Sequence, residues 1–307
     1  MRLSTYYMFQ NNVKSLSDAM KMGNDIGTRL SSQRTLLKPS DNPAGASQAV
    51  TFQNALSTMN QYDTAQLYAK DSLEQEDNIL TSVSNIMTKN LSEKIVSGGN
   101  GTMSDADRQA LATELQGIRD SLLDLANSKN SNGRYLFSGY KTGTEPFSKD
   151  GSYNGGDTAM TQNVADSTTM QVGHTGRDVF MSGSSDDIFA ALDNAIQALN
   201  NPIVTDADRE ALQDTLDKSN VSIKKGIDNL GRIQAEVGTN LQQIDALAMH
   251  SANDRISVES RLQQTVGSDP DTLITLVTQS KMAEFALQTS AKVFQSMQQM
   301  NIFNYLR

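Results

Sequence analysis

Apolar residues recur every three or four positions through long stretches of this 307-residue chain. That spacing places side chains on one face of an α-helix, so the pattern predicts long amphipathic helices. The longest stripe begins at Leu212 and predicts a helix that continues to about residue 262, which at about 1.5 Å per residue would be roughly 80 Å long. Helices of this kind bury narrow stripes against one another, so we expect a mainly α fold built as a long antiparallel helical bundle.

Both ends of the chain carry the seven-residue repeat of a coiled coil. One repeat runs through the first 37 residues, and the other runs through the helix predicted after Pro270. The order of the predicted elements is roughly palindromic, so the two terminal helices are expected to meet as an antiparallel pair. We also predict that neighbouring subunits cover their apolar positions in an assembly: Tyr6, Phe9, Val13, Leu16, Met20, Leu30, Leu276, Ala283, Leu287, Phe294 and Met297.

Short polar segments separate the predicted helices. Asn42 followed by Pro43 predicts a helix start, with Asn42 as the N-cap and Pro43 as the first helical residue. This helix is expected to continue to about residue 97. Two further starts share one pattern, Ser-Asp-Ala-Asp at 104–107 and Thr-Asp-Ala-Asp at 205–208, which resembles a capping box with Asp in place of Glu. An internal duplication and the repeated use of a good cap explain the recurrence equally well.

The pattern changes between residues 134 and 182, where Gly, Thr and alternating polar and apolar residues predict short β-strands. Asn154-Gly155 in this region is a typical hairpin turn pair. The chain is therefore expected to have three parts. These are a coiled-coil domain formed by 1–40 and 270–307, a helical bundle formed by 41–133 and 183–269, and a small β-rich insertion formed by 134–182.

Charge is unevenly distributed along the chain. The formal net charge is −9, but residues 1–60 hold six basic and three acidic groups, and residues 270–307 hold three basic and two acidic groups. The middle of the chain is therefore strongly acidic, which argues against binding to nucleic acid. Residues 285–306 contain a single charged side chain, Lys292. A helix with so few charges is not expected to stand alone, surrounded by water on all sides. This distribution predicts a solvated middle and ends that are buried in an assembly.

We find no residue pattern for catalysis, cofactor binding or metal binding, so the chain is not predicted to be an enzyme. It has no cysteine, which excludes disulfides and thiolate metal sites, and it has only two histidines. His174 has no ligand residue near it in sequence, and a structural role is expected for it. No cleavable signal peptide and no apolar run of membrane-spanning length are recognised, so we expect no membrane insertion.

Residues 30–49 resemble the N-terminal signature of flagellins and flagellar junction proteins. In that family a Leu-Ser-Ser or Leu-Ser-Thr triplet leads, eleven residues later, into an acidic–polar pair, and here Leu30 lies eleven residues before Asp41. Gln33 is at a position where the family usually has glycine. The segments Gly-Arg-Tyr-Leu-Phe-Ser-Gly-Tyr-Lys from residue 133 and Gly-His-Thr-Gly from residue 173 are similar to the hook–filament junction members of the family. The family-motif residues are Asp41, Asn42, Pro43, Gly133, Tyr135, Phe137 and Gly139.

The resemblance implies a structural adaptor of the bacterial flagellum. In such proteins the terminal helices form the inner core of a helical or ring-shaped homo-oligomer, and the β-rich insertion faces outward. The implied partners are other copies of the chain, the first hook-associated protein on the hook side, flagellin on the filament side, and an export chaperone before secretion. The implied location is extracellular, at the hook–filament junction, after type III export without a cleaved signal peptide. No cofactor is implied.

Two other functions fit the helical pattern. A flagellin would share the N-terminal signature and would polymerise into long filaments unaided, but it would end in a different, Leu-rich pattern. A cytoplasmic coiled-coil signalling protein would form a stable dimer and would have no β-rich insertion.

Overall fold

The computed structural model describes residues 2–100 and 103–305, and the side chains of residues 6–100 and 103–299. The expected mainly α fold with a small β-rich insertion is confirmed. The helices are α1 (Arg2–Ser32), α2 (Pro43–Asn85), a π-helical turn (Ile86–Leu91), α3 (Ser92–Gly98), α4 (Asp105–Ala126), α5 (Gly176–Phe180), α6 (Ile188–Asn200), α7 (Asp206–Val266) and α8 (Pro270–Tyr305), and the strands are β1 (Thr161–Ala165) and β2 (Thr168–Gln171).

The contacts between residues divide the chain into two compact units. The terminal unit comprises Met1–Asn60 and Ser251–Arg307, and the central unit comprises Gln61–His250. The three-part division expected from the sequence stays a prediction.

In the terminal unit, α1 and α8 run antiparallel and pack along a seam in which positions alternate between three- and four-residue spacing. The ring centroids of Phe9 and Phe294 lie 5.6 Å apart, and further along the seam Ile26 packs in one cluster with Leu276 and Ala283. The buried and half-buried seam positions are Phe9, Asn12, Leu16, Ala19, Gly23, Ile26 and Leu30 on α1, and Leu273, Leu276, Ser280, Ala283, Leu287, Ser290, Phe294 and Met297 on α8.

The end of α1 depends on a residue with a left-handed backbone. Gln33 has a φ of 53°, and its N–H donates to the Leu30 carbonyl at 3.2 Å. The next N–H, that of Arg34, donates to the Arg29 carbonyl at 3.1 Å. Together these bonds form a Schellman motif, which satisfies the last carbonyl groups of the helix. Glycine is usual at the left-handed position because any Cβ is strained there.

We expect Gln33→Gly to strengthen this cap by about 0.5–1 kcal/mol, because glycine adopts a positive φ without a steric cost. The amide hydrogen exchange of Arg34, whose N–H closes the motif, should slow by about two- to fivefold after correction for intrinsic rates. Gln33→Ala keeps a Cβ at the same φ and should give no slowing. An equal effect of both substitutions would show that the Gln33 side chain, and not its backbone angle, limits the cap.

In the central unit, α4 and α7 begin with the two predicted capping boxes. The Ser104 hydroxyl accepts the Asp107 N–H at 3.2 Å, and the Asp107 carboxylate accepts the Ser104 N–H at 3.3 Å. The same exchange joins Thr205 and Asp208, at 3.2 and 2.7 Å. Each box satisfies two N–H groups that the helix itself leaves without partners. The capping prediction is therefore confirmed at both helix starts.

One continuous apolar core fills the central unit, with contributions from α2, α3, α4, α6, α7 and the insertion. The run predicted as a single helix to residue 97 contains a π-helical turn at Ile86–Leu91. In such a turn each N–H bonds to the carbonyl five residues earlier, so each residue turns through a smaller angle than in an α-helix. The wider turn keeps Met87, Leu91 and Ile95, which are four residues apart, on one buried face.

The insertion contains a two-stranded antiparallel sheet, in which β1 and β2 are joined by a turn at residues 166–167. A bulge in β1 accompanies the burial of Val164 in the core. The predicted hairpin at Asn154-Gly155 is wrong, because the Asn154 N–H donates to the Pro146 carbonyl at 2.7 Å and the pair joins no two strands. Glycine and aspartate follow the pair, and both form strands poorly. The rest of the described insertion is turns, isolated bridges and α5.

Four buried phenylalanines attach the insertion to the helices. Phe137, Phe147 and Phe180 come from the insertion, Phe180 from its helix α5, and Phe189 comes from α6. Phe180 contacts the other three with ring centroids 5.3–6.0 Å away, and it meets Phe137 and Phe147 edge to face. Aromatic pairs in such arrangements contribute about 0.5–1.5 kcal/mol each beyond the burial of their area. The cluster therefore accounts for the fixed position of a segment that has little regular structure.

Gly139, next to this cluster, has a φ of 57°, and a Cβ there would lie 2.6 Å from the Thr158 carbonyl oxygen. We expect Gly139→Ala to destabilise the central unit by about 1–3 kcal/mol, because the backbone angle and the close approach both exclude a methyl group. Thermal unfolding followed by near-ultraviolet circular dichroism measures the loss. Gly143→Ala adds a methyl group in the same loop with no atom within 4 Å, and it should have little effect. Comparable losses in the two variants would contradict the role assigned to Gly139.

Candidate assembly surface

α8 buries one row of apolar side chains and exposes others outside that row. One face lies in the seam with α1, where Leu276 and Ala283 are buried. Successive helical residues are about 100° apart, so Phe285, two positions from both Ala283 and Leu287, projects on the other side. Phe285 is 70% exposed. The exposed apolar residues of α8 outside the seam, here together called the outer face, are Ile274, Val277, Met282, Phe285 and Val293.

α1 also exposes apolar side chains outside the seam. Tyr6, Val13 and Met20 form a row at seven-residue spacing beside the seam, and all three are exposed. Tyr7 and Met22 on the same helix are exposed as well. Exposed apolar side chains that recur along one helix are a common feature of protein–protein interaction sites. Both helices of the terminal pair therefore present apolar side chains that the pair itself does not cover.

The sequence-predicted assembly residues divide into two groups in the structure. Eight lie in the α1–α8 seam, namely Phe9, Leu16, Leu30, Leu276, Ala283, Leu287, Phe294 and Met297. The other three are the exposed row Tyr6, Val13 and Met20. The sequence pattern assigns Tyr6, Val13 and Met20 to the seam because they are the more apolar row. The row that enters the seam lies one residue earlier at each repeat, and its members are Asn12, Ala19 and Ile26. Leu37, which the repeat includes, lies beyond the end of α1. The role of these residues in assembly stays a prediction.

Charged side chains become sparse in α8 after the exposed pair Lys281 and Glu284. Between Phe285 and Gln299 the only charged side chain is Lys292. Surface of this kind is typical of the core of a protein–protein interface, where charged residues are depleted.

Within residues 6–100 and 103–299, no group of three or more His, Asp or Glu side chains could hold a metal ion. None of the helices in the described ranges is long and apolar enough to cross a membrane.

The family-motif residues near α1 shape the start of α2. The carboxylate of Asp41 accepts the N–H groups of Lys38 and Leu37 at 3.0 and 3.1 Å, and these bonds hold the pKa of Asp41 below its usual value. The Asn42 side chain accepts a backbone N–H three residues further on at 3.0 Å, and Pro43 is the first residue of α2. The predicted N-cap is therefore confirmed.

The family-motif residues of the insertion also have structural positions. Gly133 and Gly139 have positive φ angles of 75° and 57°. Phe137 belongs to the phenylalanine cluster, and the Lys129 ammonium group lies 4.6 Å from the centre of the Tyr135 ring. These backbone angles and contacts explain, within one copy of the chain, why glycine and aromatic residues are found at these positions.

The structure also shows a contact that the sequence analysis did not predict. The N–H groups of Thr35 and Leu36 both donate to the Val266 carbonyl, at 3.0 and 3.1 Å. This carbonyl is at the end of α7, and the bonds close a separation of about 230 residues. No local pattern signals such a pairing, because its two sides belong to irregular backbone and to a helix end.

Comparisons with known proteins identify relatives over the whole chain. The family model for the bacterial flagellin N-terminal helical region matches residues 3–142. Flagellar hook-associated protein 3 of Escherichia coli (strain K12) is 36% identical over 317 residues, covering 99% of this chain and 99% of its own. The protein of the same name from Salmonella typhimurium is 35% identical over 321 residues and covers 100% of both chains. The crystal structure of Xanthomonas campestris FlgL has a TM-score of 0.63 at 20% identity, covering 69% of this chain and 99% of that one, which shows the same fold. The chain therefore belongs to the family of flagellar hook-associated protein 3, within the flagellin superfamily.

Proposed function

We propose that this chain is a structural adaptor that joins the flagellar hook to the flagellin filament, and that it has no enzymatic activity. Its family consists of structural flagellar proteins. The single observation that supports the proposal beyond the family is that α8 has both buried and exposed apolar side chains. The helix buries one apolar row against α1 and leaves Met282 and Phe285 exposed to water. The exposed apolar side chains of such a helix are removed from water only when another molecule packs against them.

The seam and the outer face of α8 have different roles in this proposal. The seam pairs α1 with α8 inside one copy, and it sets which side chains remain outside. Covering a large apolar side chain such as Phe285 or Met282 contributes roughly 1.5–3 kcal/mol. Because the contribution recurs at every copy, assembly is favoured once subunits are concentrated at a growing end.

The proposed oligomer is a ring or a short helical array. The outer face of α8 and the exposed row of α1 are different surfaces, so a contact between them is heterologous. Heterologous contacts produce rings when the rotation closes and helical arrays when it does not. In this arrangement residues 1–40 and 270–307 form the inner core, residues 41–133 and 183–269 form the helical bundle, and the insertion at 134–182 faces outward.

The proposed partners follow from the adaptor role. They are further copies of the chain, the first hook-associated protein below, flagellin above, and an export chaperone before secretion. The proposed location is the hook–filament junction outside the cell. Sequencing the N terminus of the protein recovered from flagella tests whether export occurs without cleavage of a signal peptide.

Deletion in the native cell tests the adaptor role directly. We expect hooks to remain, while flagellin, which has no surface on which to polymerise, is shed into the medium. Electron microscopy of cells and immunoblotting of the medium measure the two effects. Full-length filaments on cells that lack the chain would contradict the proposal. Long smooth filaments formed by the concentrated, purified chain alone would instead indicate a flagellin.

A matched pair of substitutions tests the outer face. Phe285→Ser removes an apolar side chain from α8 that is 70% exposed, and Val204→Ser removes one in the central unit that is 83% exposed. We expect Phe285→Ser to lower incorporation into flagella by about tenfold or more, since a loss of about 1.4 kcal/mol at each contact changes an equilibrium tenfold. Val204→Ser should leave incorporation unchanged.

Two measurements separate assembly from folding and export. Far-ultraviolet circular dichroism of each purified variant should match the parent, because both side chains are exposed in the single copy. The amount of Phe285→Ser protein in the medium should rise as incorporation falls. Normal incorporation of Phe285→Ser would exclude the outer face of α8 as an essential interface.

A further inference from the structure

A buried histidine lies between carboxylates from two long helices. His174, in the segment between β2 and α5, is 5% exposed. Its Nδ1 lies 2.9 Å from Oε1 of Glu76 on α2, and its Nε2 lies 3.2 Å from Oε2 of Glu236 on α7. The His174 backbone N–H also donates to Glu76 Oε1, at 3.0 Å. The partners are 98 and 62 positions away in sequence, which is why no ligand residue near His174 was recognised.

This geometry requires an additional proton. A neutral imidazole carries an N–H on one ring nitrogen and a lone pair on the other. A lone pair that faces an ionised carboxylate oxygen is repelled by it, so with both Glu side chains ionised the two ring contacts are favourable together when both nitrogens carry hydrogen. Burial disfavours the charged imidazole, but the hydrogen bonds and charges of Glu76 and then Glu236 outweigh it and raise the pKa of His174 above 6.5.

Two helices supply the charged groups that face the imidazole. From α2 there is Glu76, which is 2% exposed and whose Oε2 has no hydrogen-bond partner among the described residues. From α7 there is Glu236, whose side chain is 48% exposed. Its other oxygen, Oε1, accepts a hydrogen bond from Arg232 at 2.5 Å, which holds the carboxylate in place. A buried carboxylate such as Glu76 is strongly destabilised if its cation is lost.

Neutral hydrogen bonds hold the same segment close by. The Ser72 hydroxyl donates to the Val172 carbonyl at 2.8 Å, and the Asn240 amide donates to the Gln171 carbonyl at 3.1 Å. On the other side, the Gly176 N–H donates to the Phe137 carbonyl at 2.7 Å. These bonds involve no titratable group, so a change in the protonation of His174 does not alter their donors or acceptors.

We propose that Glu76, His174 and Glu236 form a proton-dependent clasp, which fastens the segment between β2 and α5 to α2 and α7. With the imidazolium present, the segment is bound to both helices. When the proton leaves, one of the two ring contacts becomes repulsive and the segment loosens around His174. The neutral bonds on either side keep the hairpin and α5 in place. The clasp is independent of the proposed adaptor role, since it lies within one copy of the chain.

The pH dependence has a defined sign. The pKa of His174 in the folded protein is raised above the unfolded value, so the stabilisation by the clasp is fully present below about pH 6.5. It is lost as the pH rises through the raised pKa.

A single-histidine variant makes the titration visible. The chain has two histidines, so His250→Gln leaves only the imidazole of His174 for nuclear magnetic resonance. We expect its midpoint above 6.5, and we expect the amide exchange protection of His174, corrected for intrinsic rates, to fall over the same pH range. A midpoint at or below 6.5, or protection that does not follow the titration, would overturn the proposal.

A pair of charge-removing substitutions in this background tests the partners. Glu236→Gln keeps the side-chain shape but removes one of the two charges, and it should lower the His174 midpoint by about one unit. Glu210→Gln removes an exposed carboxylate near the start of the same helix and should leave the midpoint unchanged. Equal shifts in the two variants would show that the overall acidity of the protein sets the pKa, and the clasp would be excluded.

Discussion

The seam between α1 and α8 determines what the terminal unit leaves exposed. Its three- and four-residue spacing places Ile26 against Leu276 and Ala283, and Phe9 against Phe294. Once these positions are buried, the helical period fixes the direction of every other side chain on both helices. Phe285 then projects away from the pair. An interaction inside one copy thus defines the surface that is available between copies.

This arrangement stabilises the helix pair within one copy and still leaves apolar side chains uncovered. A helix with a single apolar face would be satisfied by its partner within the chain, and a helix that is apolar all round would be buried in a monomeric core. α8 is intermediate, because it buries one apolar row and leaves several large apolar side chains exposed. Beyond Phe285 only Lys292 is charged as far as Gln299, so this part of the helix would desolvate few charges in an interface. The surface is therefore suited to repeated contacts with other protein chains.

The central unit depends on contacts of another kind. The insertion has only one small sheet in the described ranges, so backbone pairing cannot fix its position. Aromatic packing around Phe180 supplies the apolar part of the attachment. Side chains of the long helices supply the polar part: Ser72 and Asn240 donate to its carbonyl groups, and Glu76 with Glu236 holds His174. A segment with little regular structure acquires a unique position because its backbone groups form hydrogen bonds with side chains of the long helices.

The sequence by itself determined the elements whose signals are local. Helical periodicity, the N-cap at Asn42, the capping boxes at Ser104 and Thr205, and the composition of the insertion all depend on residues within a few positions of one another. The tertiary structure alone decided which of two adjacent seven-residue rows of α1 enters the seam. It also decided that Asn154-Gly155 joins no strands, and that His174 meets two carboxylates. The physical reason is the same in each case. Spacing along one element restricts the faces that can be buried, but the burial of a face depends on a partner that is distant in sequence.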